Sequence, residues 1–354
     1  MEMKRTALLL LFCSLALLSF AQKGYLVFKS VDHQFGDVPE EGGEIRHTFE
    51  FSNKGDAPVI LYGVSASCGC TATEWSREPI LPGNKGAITA IFQPAGRPYS
   101  FSKTITVRTN SQPETVVLTI RGFVIPKNAS PTELYTQHLG GVGLRSFYQL
   151  LGDIPHLAVE KIEIPVFNTS DTPQEVTLAS LPVGLNGKTK LKLNPGEMKK
   201  FDLELQLKKL KEWGSQSLEI AMRCGGATGS YYLHLNRVED FSKLSLKERE
   251  KAARLELATT RIGFPKSKTG DIVEQGIDLK NVGGSPLVVR KVETNSSQIS
   301  YTLDKQEIPA GESGRLNFRF DTKGYYGEQV RNIQLIVNDP HEPLRTIELA
   351  GTLE

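Results

Sequence analysis

Apolar and polar residues alternate with a period of two in short blocks along most of the chain. His47-Thr-Phe-Glu-Phe51, Ala87-Ile-Thr-Ala-Ile-Phe92, Phe201-Asp-Leu-Glu-Leu-Gln-Leu207 and Leu316-Asn-Phe-Arg-Phe320 are typical. That period puts successive side chains on opposite faces, one buried and one wet, so each block predicts a β-strand. Clusters of Gly, Pro, Asn and Asp separate the blocks and supply turns.

The blocks recur in a threefold repeat, which is the feature that sets the architecture. Phe35-Gly36 is matched by Leu151-Gly152 and Ile262-Gly263. An alternating strand then ends at Asn53, at Asn168 and near Asn281, and five residues later stand Pro58, Pro173 and Pro286. A Pro-Gly turn follows at Pro82-Gly83, Pro195-Gly196 and Pro309-Ala-Gly311, so the Asn-to-turn spacings are 29, 27 and 28 residues. Each unit closes with two more strands: 104–108 and 115–120, 218–222 and 231–235, 333–337 and 346–349. Short alternating strands at near-regular spacing predict β-sandwiches of the immunoglobulin type. The expected fold class is therefore all-β: three tandem immunoglobulin-like sandwiches over 24–126, 130–240 and 256–354.

Two joints connect them. Ile125-Pro126-Lys-Asn-Ala-Ser-Pro131 reads as a short stiff linker. Residues 241–255 read differently, because Ser245-Leu-Lys-Glu248 is a capping-box pattern opening a run of strong helix formers. One short linker helix is expected there, either as a spacer or packed on one sandwich.

The N-terminal segment departs from this pattern. Lys4 and Arg5 precede the apolar run 7–18, and Ser19-Phe20-Ala21 is a small-x-small cleavage signal. This is the anatomy of a secretory signal peptide over 1–21. The run is shorter than the ~20 residues of a membrane span, and none later is longer. Cys13 lies inside the apolar run, where a lipid-attachment cysteine does not belong. The chain is thus expected to be exported, to the periplasm or the cell surface, with no transmembrane segment after cleavage.

Composition narrows the function classes. Among 354 residues, 42 are Lys or Arg and 40 are Asp or Glu, a net charge of +2. That balance argues against nucleic acid as a partner, since phosphate binding needs a concentrated basic surface. With 39% hydrophobic residues there is enough material for packed cores.

The first unit carries a recognisable signature. His33-Gln-Phe-Gly36, His47-Thr-Phe-Glu-Phe-Ser-Asn-Lys-Gly55, Ser67-Cys-Gly-Cys-Thr71, Trp75 and Ile80-Leu-Pro-Gly83 follow one another over residues 30–125. This stretch resembles the bacterial secreted family catalogued as "domain of unknown function 1573". That family is common in Bacteroidota and related to the ASPM/SPD-2/Hydin immunoglobulin-like modules. The third unit fits the same frame without the cysteines, and the middle unit fits only its strand and turn skeleton. The resemblance implies an immunoglobulin-like fold and export, and it carries no established activity.

Three cysteines follow the leader: Cys68, Cys70 and Cys224. Counting from the anchor asparagines places Val183 and Leu185 of unit two, and Ser296 and Gln298 of unit three, opposite Cys68 and Cys70. The cysteine pair is therefore special to unit one. Four readings stand open for it. It is a structural disulfide, although on a regular strand these Cβ atoms stand farther apart than the ~3.5–4.5 Å a bridge prefers, so Gly69 would have to bend the chain. It is an exposed, easily reduced redox or thiol-exchange pair. It is a two-thiolate clamp for a soft metal such as Cu(I) or Zn(II), with His33, His47 or a partner completing the shell. Or it is a pair of buried thiols that simply pack. Cys224, in Met222-Arg-Cys-Gly-Gly226, reads as a buried strand-end thiol, or alternatively as an intermolecular link.

No phosphate loop, dinucleotide fingerprint, zinc-protease motif or nucleophile elbow occurs, so no catalytic or cofactor-binding residue is assigned. The six histidines are scattered; His138 and His156 are expected in loops, and His47 on a strand face. Asp339-Pro-His-Glu-Pro343 is expected as a turn. The leading expectation is an exported, non-enzymatic binding or scaffolding protein of the cell envelope, with a protein or cell-wall component as partner. The alternatives are a thiol-redox or metal-binding protein acting through Cys68 and Cys70, and a periplasmic edge-strand chaperone.

Overall fold

The computed structural model describes residues 24–111, 114–241 and 243–354. The leader expected over 1–21 lies outside the described residues. The chain divides into two compact units, one ending at Lys127 and one spanning Asn128–Glu354.

The first unit holds β1 (Leu26–Phe28), β2 (Asp32–Pro39), β3 (Ile45–Asn53), β4 (Leu61–Ala66), β5 (Thr71–Trp75), β6 (Lys85–Phe92), β7 (Tyr99–Thr109) and β8 (Thr115–Ile125). They form two sheets, in the orders β1-β3-β6-β5 and β2-β8-β7-β4. Alternate side chains of both sheets turn inward. Phe49, Phe51, Ile88 and Phe92 meet Ile105, Val107, Leu118 and Ile120, all buried in one cluster. Each such side chain contributes roughly 1.5–3 kcal/mol by leaving water.

The second unit holds two further sandwiches. The first has β9 (Gln137–Leu139), β10 (Val142–Leu144), β11 (Tyr148–Pro155), β12 (Val159–Asn168), β13 (Gln174–Ser180), β14 (Leu185–Gly187), β15 (Lys190–Leu193), β16 (Met198–Gln206), β17 (Gly214–Cys224) and β18 (Ala227–Val238). Its sheets run β14-β16-β12-β10-β9 and β11-β18-β17-β13-β15. The last sandwich has β19 (Leu255–Glu256), β20 (Arg261–Gly263), β21 (Ile272–Asn281), β22 (Leu287–Thr294), β23 (Ile299–Leu303), β24 (Glu307–Ile308), β25 (Ser313–Asp321), β26 (Gly327–Val337) and β27 (Leu344–Leu353). Its sheets run β19-β21-β25-β23 and β20-β27-β26-β22-β24. The all-β, sandwich-built fold expected from the alternation is the one observed.

One pairing repeats in all three sandwiches and breaks the antiparallel rule. β2 pairs with β8, β11 with β18, and β20 with β27 in parallel, an early strand against the last. In the first two pairs the register slips at Gly36 and Gly152, which adopt φ of +70° and +74°. A side chain is strained in that conformation, so glycine stands at these bulges.

The repeated asparagine is a buried tie. Asn53, Asn168 and Asn281 are each at most 1% exposed. In each, Nδ2 donates four residues ahead, to Ala57 O, Thr172 O and Ser285 O, at 2.8, 2.8 and 2.9 Å. It also donates across the sandwich end, to Ile80 O, Leu193 O and Ile308 O, at 2.8, 3.1 and 3.0 Å. Oδ1 accepts from the backbone N of Gly55, Ser170 and Gly283. The Pro-Gly turn is closed by the same residue, whose carbonyl accepts from the N–H of Gly83, Gly196 and Gly311.

The joint over 241–255 forms less helix than its composition favours. Only Leu246–Glu250 is helical, capped reciprocally by Ser245 and Glu248. Ala253 and Leu255 are drawn into the core of the last sandwich, and that burial ends the helix. Arg249 ties the turn down, donating to Phe241 O and Pro340 O. A second short helix, Pro131–Leu134, follows Ser130 where only a linker was expected.

Within the second unit the two sandwiches are joined by polar contacts at close range. Arg290 makes a forked pair with Glu239, at 2.9 and 3.3 Å. Trp213 lies beneath both Arg237 and Arg290, at 4.3 and 5.0 Å. Ser215 N donates to Glu293 Oε1 at 3.0 Å. Gly214, at φ +73°, lets the chains approach; a Cβ there would stand 2.5 Å from Glu293 Oε1 and 2.6 Å from Ile336. Gly214→Val is therefore expected to separate this joint at a cost of roughly 1–3 kcal/mol. The measurement is hydrogen exchange, which should speed up at β22 and at the start of β17 while both cores stay protected.

Candidate functional site

Cys68, Gly69 and Cys70 lie on the turn that carries the chain from β4 in one sheet to β5 in the other. The turn frees them from strand geometry. Their Cα atoms are 5.3 Å apart and the two sulfurs form a disulfide, a separation inside the usual range. A soft-metal clamp would need both sulfurs as thiolates, a state reached only after this bond is reduced. Among the described residues no group of three His, Cys, Asp or Glu is placed to hold a metal ion.

Four hydrogen bonds define the turn, three between backbone groups and one to a side chain. Ser67 N donates to Thr104 O at 2.9 Å, and Thr71 N to Cys68 O at 3.3 Å. Gln93 N donates to Cys70 O at 3.2 Å, and Thr104 N to Ser67 Oγ at 3.2 Å. The last sandwich builds the same turn without cysteine. There Asn295 N donates to Asn332 O, Ile299 N to Ser296 O and Asp321 N to Gln298 O, at 3.2, 3.2 and 3.0 Å. Asn332 N donates to Asn295 Oδ1 at 3.1 Å, in place of the serine bond. Ser296 and Gln298 thus stand where Cys68 and Cys70 do, as the count from Asn281 places them.

The middle sandwich corrects that count by one residue. Leu185 N donates to Pro182 O at 3.1 Å and Gln206 N to Gly184 O at 3.0 Å. The equivalents of Cys68 and Cys70 are therefore Pro182 and Gly184, not Val183 and Leu185. The shorter Asn-to-turn interval of this unit absorbs the difference.

Sandwich one differs from the other two at this turn in three respects: the disulfide, the residue after it and the tip. At the position after the turn, Thr71 is buried where the others bury Leu185 and Ile299. Its Oγ1 stands 3.8 Å from Cys68 Sγ and 3.9 Å from Cys70 Sγ. At the tip, Gly69 has no positive φ and open space where a Cβ would stand. Val183 occupies the same tip in sandwich two with its side chain exposed. Neither the disulfide nor Gly69 is thus required to form the turn. A cross-link closing a loop of about three residues stabilises by only about 1.6 kcal/mol through chain entropy. The double variant Cys68→Ser/Cys70→Ser is accordingly expected to lose no more than this, read as a small shift of unit one's denaturant midpoint.

Two histidines of sandwich one form a pair that spacing did not reveal. His33 on β2 and His47 on β3 come from opposite sheets and stack, centroids 3.5 Å apart and planes 8° from parallel. Phe35 meets His33, and Phe49 meets His47, each edge-on. Burial lowers both pKa values, and the neighbouring His47 charge lowers that of His33 further, to about 4. The signal available in sequence was only that both residues sit on inward-facing strand positions. A folded pKa below the unfolded value means the contribution is complete above pH ~6.5 and is lost as pH falls towards 4. Both rings are partly solvated, so the expected loss is about 1–2 kcal/mol after screening. Thermal unfolding of unit one at pH 7 and pH 4.5 should show it, and His33→Phe should flatten the difference.

Cys224 ends β17, is 1% exposed, and faces Gln174 Oε1 at 3.5 Å. An intermolecular bond there would require the strand end to open. His138 lies on β9 rather than in a loop, whereas His156 does lie in a turn. The segment 339–343 is the connection between β26 and β27, and Asp339 within it is fully buried.

A further feature is an exposed row on the outward face of sandwich two. Tyr148 and Leu150 on β11 are in register with Tyr232 and His234 on β18. Tyr148, Leu150 and Tyr232 are 54%, 63% and 37% exposed. His234 lies 5.9 Å from the Tyr148 ring and 6.2 Å from the Tyr232 ring, nearly parallel to the second. Ser217 and Glu219 of β17 continue the row as its polar margin. Single exposed apolar side chains are ordinary, but a contiguous row is not. Period-two alternation hid it, because Tyr and His serve either face of a strand.

No curated protein matches the chain. Among solved structures, a protein of unknown function from Porphyromonas gingivalis W83 is 22% identical. It aligns over 60% of this chain and 100% of its own, with a TM-score of 0.46. The ASH/PapD-like domain 7 of human CEP192 is 13% identical over 29% of this chain and 87% of its own, with a TM-score of 0.25. No helix among the described residues is long and apolar enough to cross a membrane. The family described as "Protein of unknown function (DUF1573)" matches twice, over residues 26–124 and 255–353, which are sandwiches one and three. The chain belongs to that family, with its disulfide turn in the first copy and a divergent sandwich between the two.

Proposed function

We propose that this chain is an exported, non-enzymatic binding protein of the cell envelope, which presents its sandwiches to a protein or cell-wall partner. The observation that carries this reading is the row Tyr148, Leu150, Tyr232 and His234 on one open sheet face. Flat rings with a polar margin bury apolar area at low entropic cost and direct hydrogen bonds at the edge. The joined sandwiches of the second unit support the reading, since a stiff mount lowers the ordering cost of binding. The leader anatomy at 1–21 supports export.

The test compares the wild-type chain with Tyr148→Ser/Tyr232→Ser. Both side chains are exposed, so each change should alter stability by no more than about 0.5 kcal/mol. Cell fractionation should place the wild type outside the cytoplasm, and it should co-sediment with envelope fractions of the native host. The double variant should fractionate alike but co-sediment about tenfold less, as the loss of a central aromatic pair predicts. Equal co-sedimentation of the two proteins removes this face as the binding site. A cytoplasmic wild type removes the reading altogether.

A further inference from the structure

We infer that the Cys68–Cys70 disulfide is a thiol–disulfide exchange site that captures the thiolate of a partner molecule on Cys68. This goes beyond the binding face of sandwich two and does not depend on it. Three sandwiches build one turn between the same two strands, and two do so without sulfur. The cross-link therefore is not what shapes the turn.

Three substitutions set sandwich one apart, and all favour exchange. The disulfide itself is the first. The second is Gly69, which leaves the tip clear although its backbone conformation and surroundings admit a side chain. A nucleophile must approach a sulfur along the S–S axis, and a glycine tip adds no side chain to crowd that approach. The third is Thr71, a buried hydroxyl within 4 Å of both sulfurs where the other sandwiches bury Leu185 and Ile299. A hydroxyl donor at that place stabilises a departing thiolate, and a better leaving group speeds exchange. The two sulfurs also differ. Cys70 packs against the core of the sandwich, which leaves Cys68 as the sulfur to attack.

The step balances without any further reactant. The partner thiolate attacks Cys68 Sγ, forming a new S–S bond as the Cys68–Cys70 bond breaks. The electron pair leaves on Cys70 Sγ, beside Thr71 Oγ1, and that thiolate takes a proton from water. The reverse attack by Cys70 releases the partner and restores the original bond, so capture is reversible.

The test uses the full chain, folded, at neutral pH, with reduced glutathione as probe. A parallel arm uses an unfolded polypeptide bearing one cysteine, and the faster of the two identifies whether the source is a small thiol or a protein. Acid quenching, alkylation and peptide mass mapping report each cysteine. The expected result is an adduct on Cys68 with a free thiol at Cys70, Cys224 untouched, and unchanged hydrogen-exchange protection in β4 and β5. Gly69→Val should fold alike and react about tenfold more slowly, and Thr71→Val should also slow the reaction. A bond that opens only once the chain is denatured overturns the proposal. So does an opening that unfolds sandwich one, because either result makes the disulfide a brace.

Discussion

Asn53→Ala should cost sandwich one about 3–5 kcal/mol, among the largest effects of any single substitution outside the apolar cores. The side chain is fully buried and makes two donated and two accepted bonds. Alanine leaves Ala57 O, Ile80 O, Gly55 N and Tyr25 N without those bonds. A buried polar group stripped of its partner costs about 1–3 kcal/mol, and part of the site can rehydrate. Asn53→Asp is the sharper test, because it keeps shape and acceptor but cannot donate to the two carbonyls. Asn168→Ala and Asn281→Ala should act alike in their own sandwiches, since their bonds repeat. Each sandwich melts with its own cooperativity in a multidomain chain, so the measurement is hydrogen exchange resolved by sandwich. A loss below about 1 kcal/mol in any of the three would show that the tie is ornamental there.

Asp339→Ala should have an effect of similar size in the last sandwich, for an electrostatic reason. Asp339 is completely buried. Its Oδ2 accepts from Leu255 N at 2.9 Å and its Oδ1 from His341 N at 2.9 Å. Arg345 stands 3.7 Å from Oδ2 and donates to Leu255 O at 2.9 Å. One carboxylate and one guanidinium thus hold both backbone groups of Leu255, where the chain enters the sandwich from the helical joint. Removing the carboxylate strips the N–H groups of Leu255 and His341 of their acceptor and leaves the part-buried Arg345 with only the exposed Glu342 as counter-charge, and breaking a buried charged network of this kind costs about 3–5 kcal/mol. Burial already lowers the Arg345 pKa, and Asp339 is the group that opposes that trend. Asp339→Asn keeps an acceptor for one N–H and should recover part of the loss. Denaturant unfolding of the second unit reads both variants. An Asp339→Ala protein as stable as the wild type would mean that Glu342 alone satisfies Arg345 and that the N–H groups of Leu255 and His341 rehydrate.

The asparagine ties and Asp339 differ in how far the local sequence marks them. Asn53, Asn168 and Asn281 announced themselves by recurring before each Pro-Gly turn. Asp339 looked like a turn residue among prolines. Leu255, which the two side chains hold, lies 84 positions from Asp339 and 90 from Arg345. Local chemistry predicts a tie made within one repeat, but not one that pins a neighbouring segment.

By itself the sequence determined the all-β class, the strands of each repeat and their turns. Period-two alternation, Pro-Gly punctuation and a recurring asparagine are local properties, and the backbone obeys them locally. It also determined that the cysteine pair belongs to one repeat alone. Only the tertiary structure decided the rest. The parallel pairing of β2 with β8 joins strands far apart in the chain, so no spacing encodes it. The helix in the joint stopped at Glu250 because a neighbouring core claimed Ala253 and Leu255, and burial outweighs helix propensity. The stacking of His33 on His47 required two sheets to close face to face. Strand geometry argued against a Cys68–Cys70 bond, and a turn between sheets permitted it. The outward row on sandwich two arose because register placed Tyr148 beside Tyr232 on the wet face. In each case the deciding contact joins residues that folding, not sequence order, makes neighbours.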